Sequence, residues 1–147
     1  METIKIIIAD ANPDVLKGVP VSLSKDSSIK VVGLAAESKE FFDMCKAYEP
    51  DVVLATPELI EESGISRLRK RDYEYEMKII AFSGTYRRQK VEKMLAIGLD
   101  GYFPYDASDD ELVSLIKVVH DGFYCVTCTY VQSVIDTLAC GNKLQRQ

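Results

Sequence analysis

The 147-residue sequence lacks most of the patterns that mark catalytic and membrane proteins. It has one histidine, no glycine-rich phosphate-binding loop, no Ser-centred nucleophile motif and no apolar run of membrane-spanning length. Its first residues are not a signal peptide, so we expect a cytoplasmic protein without a membrane segment. The formal net charge of −5 argues against direct binding of nucleic acid. These absences predict a non-catalytic protein.

The four cysteines belong to a chain that we expect in a reducing compartment, which predicts free thiols. Cys125 and Cys128 form one CxxC pair, and this supplies only two of the four ligands that tetrahedral zinc requires. A zinc site that adds His120 and Cys140 would have irregular spacing, and a redox pair would need a helix to begin just after Cys125. We therefore predict no metal and no cofactor.

What the sequence does contain is a short apolar stretch that fixes the fold class. Residues 52–55 are aliphatic, and Pro50 and Pro57 bound them. Because no polar residue alternates within the stretch, the strand should be buried on both faces, as in a parallel sheet covered by helices. Its carboxyl end, at Thr56, should open into the crevice where open α/β sheets place their chemistry.

Strands alternate with helices five times, which predicts a doubly wound five-stranded parallel sheet with right-handed crossovers. The strands are expected over residues 4–9, 29–34, 50–56, 77–82 and 101–103, and the helices over residues 13–24, 38–48, up to 71, 86–97 and from 108 onward. Asn12, Ser38 and Ser108 are the predicted N-caps, and Gly98 should end a helix. Pro20 should kink or shorten the first helix, and residues 58–64 should form a loop.

The carboxyl-terminal part should add one helix to this domain. After Gly122 we expect a short extended piece, followed by a helix over residues 130–139 with apolar residues on one stripe, Val131, Val134, Ile135 and Leu138. The predicted organisation is a domain over residues 1–125, a helical extension over residues 126–140 and a flexible tail over residues 141–147.

Several segments of the sequence resemble the receiver domain of two-component response regulators, in particular receivers attached to LuxR-type helix-turn-helix output domains. The resemblance covers roughly residues 4 to 125 and is carried by Ile6–Asp10, Val31–Gly33, Pro50–Leu54, Gly98–Tyr102 and Asp106–Ser108. It implies a (βα)5, flavodoxin-like fold that works in phosphorelay signalling.

The resemblance also implies a phosphorylation site at the strand ends, and here this site is degenerate. The second metal-binding acid is replaced by Ala11, the phosphoacceptor aspartate by Thr56 and the lysine after strand five by Tyr105, whereas Asp10 and Ser83 are retained. Mg²⁺ requires hard oxygen ligands, and a neutral threonine is a poor phosphoryl acceptor. We therefore predict a pseudo-receiver in which Thr56 and Ser83 form a buried, hydrogen-bonded hydroxyl pair.

The predicted function is protein–protein interaction that does not depend on phosphorylation. The expected face combines the helix over residues 86–97, strand five and the helix after Ser108, with Tyr102 as the aromatic switch residue and Arg87 and Arg88 as contact residues. The partner would be another protein or a second copy of the chain. One alternative is the receiver part of a DNA-binding LuxR-type regulator whose output domain is outside this chain; another is a ligand-binding or enzymatic α/β domain.

Overall fold

The computed structural model describes residues 3–71, 76–84 and 88–126, and these form one parallel sheet covered by helices on both faces. The strands are β1 (Ile4–Ala9), β2 (Ile29–Ala35), β3 (Val52–Ala55), β4 (Lys78–Ser83), β5 (Gly101–Pro104) and β6 (Cys125–Val126). The helices are α1 (Pro13–Leu23), α2 (Ser38–Tyr48), α3 (Pro57–Ser63), α4 (Ser66–Arg71), α5 (Arg88–Ile97) and α6 (Asp109–His120). The strand order β2-β1-β3-β4-β5-β6 confirms the predicted doubly wound sheet and adds one strand.

The central strand β3 is buried at every residue, as its lack of polar side chains predicts. Its alternate side chains enter two separate cores. One core lies beneath α2, α3 and α5 and includes Ile7, Val53, Phe41, Val91 and Met94. The other lies beneath α1 and α6 and includes Ile8, Leu54, Leu23, Leu112 and Ile116. The two-sided burial therefore holds the carboxyl end of β3 rigidly between helices.

Two of the three predicted helix caps are confirmed. The Asn12 side chain accepts the Asp14 N–H at 2.9 Å, and the Ser108 hydroxyl accepts the Glu111 N–H at 3.2 Å. The prediction for Ser38 was wrong, because that residue is already helical and Glu37 is the cap, without a side-chain cap bond. Instead, Glu40 reaches back and accepts the Ala36 N–H at 2.9 Å, so a glutamate in the first turn stabilises this helix start.

Pro20 does not shorten α1, which was one of the two effects that we expected of it. The helix continues through it to Leu23, and the Ser24 N–H donates to the Pro20 carbonyl at 2.9 Å. Proline removes only the backbone donor that would have reached residue 16. Burial of Val19 and Leu23 against the sheet compensates for that lost bond.

The loop predicted over residues 58–64 is instead helix α3. Thr56 is its N-cap, Pro57 is its first residue and Glu58 lies in its first turn. This order favours a helix start, because proline lacks a backbone N–H that would have no partner there, and an acid stabilises the positive end. Gly64 ends the helix with φ 68°, in the left-handed region that glycine adopts readily.

The extended piece expected after Gly122 forms the short strand β6. Its Cys125 N–H donates to the Asp100 carbonyl at 3.1 Å, and Gly101 pairs with Cys125 across the ladder. The predicted helical extension, the tail and the apolar stripe from Val131 to Leu138 lie outside the described residues. Among the residues that the structure describes, no helix is long and apolar enough to span a membrane.

Candidate functional site

The carboxyl ends of four neighbouring strands meet at one edge of the sheet. The register pairs Ala9 with Ala55, and Ser83 with Pro104, so the residues that follow β1, β3 and β5 surround one crevice. The Thr56 N–H donates to the Ala9 carbonyl at 3.1 Å, and the Tyr105 N–H donates to the Ser83 carbonyl at 3.0 Å. The topology thus brings Asp10, Thr56, Ser83 and Tyr105 together, as the sequence predicts.

Asp10 is the acid of this crevice, and the protein already uses both of its carboxylate oxygens. Oδ1 accepts the Asn12 N–H at 2.8 Å, and Oδ2 accepts the Tyr105 hydroxyl at 2.6 Å. Only 3% of the residue is exposed. The neighbouring Ala11 points to solvent and contributes a methyl group where a second carboxylate would be needed. The remaining acid is therefore satisfied by internal donors.

Tyr105 fills the position that the resemblance assigns to a lysine. Its ring packs edge-on against Phe82, with the ring centroids 4.8 Å apart. Burial, and then the hydrogen bond to Asp10, raise the pKa of the phenol well above its usual value near 10. The side chain is therefore a neutral hydrogen-bond donor at physiological pH, and it carries no positive charge that could pair with a phosphoryl group.

Thr56 serves as a helix cap in this structure. Its Oγ1 accepts the Leu59 N–H at 3.4 Å and so occupies one of the free donors at the start of α3. Thr56 and Ser83 are both half-buried, so the predicted burial of this hydroxyl pair was wrong. The reason is their position at the strand ends, where the crevice opens to solvent.

The crevice continues into an open pocket of about 690 Å³ with an acidic rim. Its walls come from the starts of α1, α2 and α3 and include Asp10, Asn12, Glu37, Thr56, Glu58 and Glu62. In the described ranges, no group of three or more histidine, cysteine, aspartate or glutamate side chains is arranged to hold a metal ion.

An ion pair between Glu58 and Lys90 spans this region, and the sequence did not reveal it. The Lys90 Nζ lies 2.7 Å from the Glu58 Oε1 and connects α5 to α3. Glu58 also acts on Tyr105, because its charge is one of the causes that raise the phenol pKa. Recognising a helix start at Thr56 and Pro57 would have placed Glu58 at the crevice.

The predicted interaction face is only partly described. Tyr102 lies on β5, pairs with Ala81 and is 1% exposed, so the aromatic switch residue points into the core. Arg87 lies outside the described residues. Arg88 is the first residue of α5, but its side chain is not among the parts that the structure describes. The role that we assign to the two arginines therefore remains a prediction.

The alternative zinc site is also only partly described. His120 ends α6 and Cys125 begins β6, whereas Cys128 and Cys140 lie outside the described residues. Cys125 is a half-buried free thiol whose pKa is raised by burial.

Comparison with known proteins agrees with this fold. The profile of the response regulator receiver domain matches residues 6–117. The uncharacterized transcriptional regulatory protein YhcZ of Bacillus subtilis (strain 168) is 29% identical over 132 residues, which is 89% of this chain and 61% of that protein. The nitrate/nitrite response regulator protein NarL of Escherichia coli (strain K12) is 27% identical over 120 residues, which is 81% of this chain and 54% of that protein.

A solved structure shows the same fold. The two-component response regulator of the LuxR family from Aurantimonas sp. SI85-9A1 superposes with a TM-score of 0.77 at 20% identity and covers 94% of this chain and 99% of that one. The chain itself spans 61% of the length of YhcZ and 54% of the length of NarL. With three quarters of its length matched by the family profile, the chain belongs to the response regulator receiver domain family.

Proposed function

We propose that this receiver domain does not take up a phosphoryl group at its crevice and instead acts as a phosphorylation-independent protein–protein interaction module in signalling or transcription regulation. The observation that carries the proposal is the 2.6 Å hydrogen bond from the Tyr105 hydroxyl to Asp10. It joins the remaining acid to a neutral phenol at the position where the family resemblance implies a cation.

The chemistry of the donor set supports this proposal. Mg²⁺ binding usually needs carboxylates that present free oxygens in octahedral geometry. The two oxygens of Asp10 already accept internal hydrogen bonds, and Ala11 offers no ligand. The residues present therefore do not fit the Mg²⁺ that the family implies, and Thr56 supplies a neutral hydroxyl instead of an ionised nucleophile.

Receiver domains are signalling modules, and we propose no catalytic step for this one. The proposed working surface is the face formed by α5, β5 and α6. Tyr102 lies beneath this face, and only 1% of the residue is exposed. A two-state switch moves only if a ligand distinguishes its states. Without a phosphoryl group, the domain should remain in one state with Tyr102 inward. A cytoplasmic protein or a second copy of the chain would then bind a constant surface.

The test combines a phosphoryl analogue with a variant that restores the family residues. Incubation of the protein with beryllofluoride and Mg²⁺, or with acetyl phosphate and Mg²⁺, should give no stoichiometric adduct by native mass spectrometry. The matched comparison is the triple substitution Ala11→Asp, Thr56→Asp and Tyr105→Lys, checked for folding by circular dichroism, which should gain an adduct. A stable adduct on the unchanged protein, located at the crevice, would sink the proposal.

The interaction face has a separate test. Sedimentation should detect self-association or a complex with a partner, and substitution of Tyr102, or of Arg87 and Arg88 together, should weaken it. Substitution of Tyr48, which is exposed at the end of α2 and lies outside the α5, β5 and α6 face, is the control. If association survives every change on the α5, β5 and α6 face, the interface lies elsewhere.

A second candidate is the receiver part of a DNA-binding regulator. It is favoured because the relatives include a transcriptional regulatory protein of which this chain covers 61%. In that case residues 126–140 would lead from the domain over residues 1–125 towards an output domain. The reading frame beyond codon 147 distinguishes the two, since a following helix-turn-helix sequence is expected only for the second candidate.

A further inference from the structure

The side chain of Tyr105 joins two parts of the crevice, the end of β1 and the end of β4, which are not neighbouring strands in the sheet. At its hydroxyl end it donates to Asp10 Oδ2 at 2.6 Å. Asp10 is itself fixed, because its other oxygen accepts the Asn12 N–H and the residue is almost fully buried. The phenol therefore has a rigid acceptor anchored to the end of β1.

At its ring end, Tyr105 contacts three consecutive residues at the end of β4. The ring packs edge-on against Phe82, and the Tyr105 N–H donates to the Ser83 carbonyl at 3.0 Å. The ring also lies so close to Gly84 that a Cβ there would be 2.6 Å from Cδ2 and 2.9 Å from Cε2. Since real Cβ atoms do not approach other atoms so closely, this contact requires glycine at position 84.

A second connection holds the first turn of α5, the helix that follows β4 in the chain. Lys90, in the first turn of α5, is paired at 2.7 Å with Glu58 of α3. The Tyr105 ring thus contacts the end of β4, and this ion pair holds the first turn of α5. Because the side chains of Lys90 and Glu58 are 30% and 57% exposed, the ion pair should contribute little to stability.

We propose that Tyr105 is a built-in ligand of the crevice, which latches the end of β4 to Asp10 through its ring contact with Gly84. The side chain does internally what a bound phosphoryl group would otherwise do, and in this respect the inference rests on the proposed function. The end of β4, next to the α5 face, is then held without any external ligand.

The substitution Gly84→Ala tests the latch through its ring contact alone. Gly84 does not have a φ in the left-handed region, so alanine fits its backbone and only the ring opposes the new methyl group. Gly18→Ala is the matched control, because a Cβ at Gly18 meets nothing within 4 Å. Hydrogen exchange of the folded protein, followed by mass spectrometry, should show at least about tenfold faster exchange at residues 83–90 for Gly84→Ala and no local change for Gly18→Ala.

The double substitution Gly84→Ala with Tyr105→Ala shows whether the ring is the cause. If the latch exists, adding Gly84→Ala to the Tyr105→Ala background should change the exchange of residues 83–90 by less than about twofold, because the methyl group no longer meets the ring. The proposal is overturned if Gly84→Ala exchanges like the unchanged protein, or if its effect is equally large without the ring.

A further variant keeps the proposal testable if Gly84→Ala does not fold. Tyr105→Phe keeps the ring and removes only the donor to Asp10, and it should also accelerate exchange at residues 83–90; exchange unchanged from the original protein would refute the latch. No phosphoryl donor is present in these experiments. Their failure therefore leaves the phosphorylation test untouched, whereas a beryllofluoride adduct would overturn the proposed function without bearing on the exchange rates.

Discussion

The hydroxyl oxygen of Tyr105 lies 2.6 Å from the Asp10 carboxylate, although 95 positions separate the two residues in the sequence. The short distance and the carboxylate acceptor are typical of a charge-assisted hydrogen bond. Asp10 thus has a structural role that does not depend on a metal ion or a phosphoryl group. This role leads to a direct prediction for stability.

Replacing Asp10 by alanine should lower the free energy of unfolding by about 1–3 kcal/mol, because the Asn12 N–H and the Tyr105 hydroxyl lose a shared acceptor in a buried site. Asp10→Asn should cost less, since an amide oxygen can still accept one of these bonds. Urea denaturation measures both. Asp106→Ala, at an exposed position nearby, is the control and should stay within about 0.5 kcal/mol. Equal losses for Asp10→Ala and Asp106→Ala would contradict the assigned role.

Replacing Thr56 by alanine should destabilise the domain by about 0.5–2 kcal/mol through loss of the cap on α3. The 3.4 Å contact to the Leu59 N–H is long, so we expect a value in the lower half of that range. Thr56→Ser keeps the oxygen and serves as the control for side-chain volume. Thermal and urea unfolding of the two variants provide the measurement, and a serine variant as unstable as the alanine variant would rule out the cap.

Stability should fall in acid partly through Asp26. Hydrogen bonds from Lys117, at 2.6 Å, and from Ser28 lower the pKa of this carboxyl to about 2. A carboxyl whose folded pKa is lowered stabilises the protein above its unfolded pKa, and that contribution disappears as the pH falls towards the folded value. The unchanged protein should therefore exceed Asp26→Asn in stability at pH 7, and the difference should shrink between about pH 4 and pH 2. Unfolding curves that stay equally separated over this range would exclude the effect.

Cys45 should resist alkylation in the folded protein. It is fully buried, and burial raises the pKa of its thiol to about 12, so little nucleophilic thiolate exists at neutral pH. Mass spectrometry after iodoacetamide treatment should find Cys45 modified only at the rate at which the domain unfolds. The half-buried Cys125 should react faster in the same sample. Modification of Cys45 ahead of Cys125 under native conditions would show that the α2 core opens locally.

The sheet could be predicted because its strands are uninterrupted aliphatic runs, and Val52–Ala55 has no polar side at all. Helix α3 was missed although Thr56, Pro57 and Glu58 repeat the order of Asn12, Pro13 and Asp14, which was recognised at the start of α1. The acids at positions 58, 61 and 62 suggested an exposed loop. Helices with one solvent-facing side carry such acids just as well, so composition alone was a poor guide there.

The members of the site could also be predicted, because parallel strands bring their carboxyl ends to one edge. Their contacts could not. Whether Tyr105 would point to solvent or to Asp10 depends on its side-chain rotamer, on the Phe82 ring and on the missing Cβ of Gly84. The buried Asp100 shows the same limit, since its carboxylate accepts the Ile79 N–H at 2.9 Å across the opposite end of the sheet. Such tertiary hydrogen bonds have no local sequence signal.

The two edges of the sheet restrict how this domain can aggregate. In the described part of the chain, one edge is β2, where the pairing with β1 shifts by one residue at Val32. The other, within the same described residues, is β6. An irregular edge such as β2 is a poor template for strand addition. Fibrils or strand-exchanged oligomers should therefore form slowly from the native domain, and a reversible dimer should be built from helix surfaces.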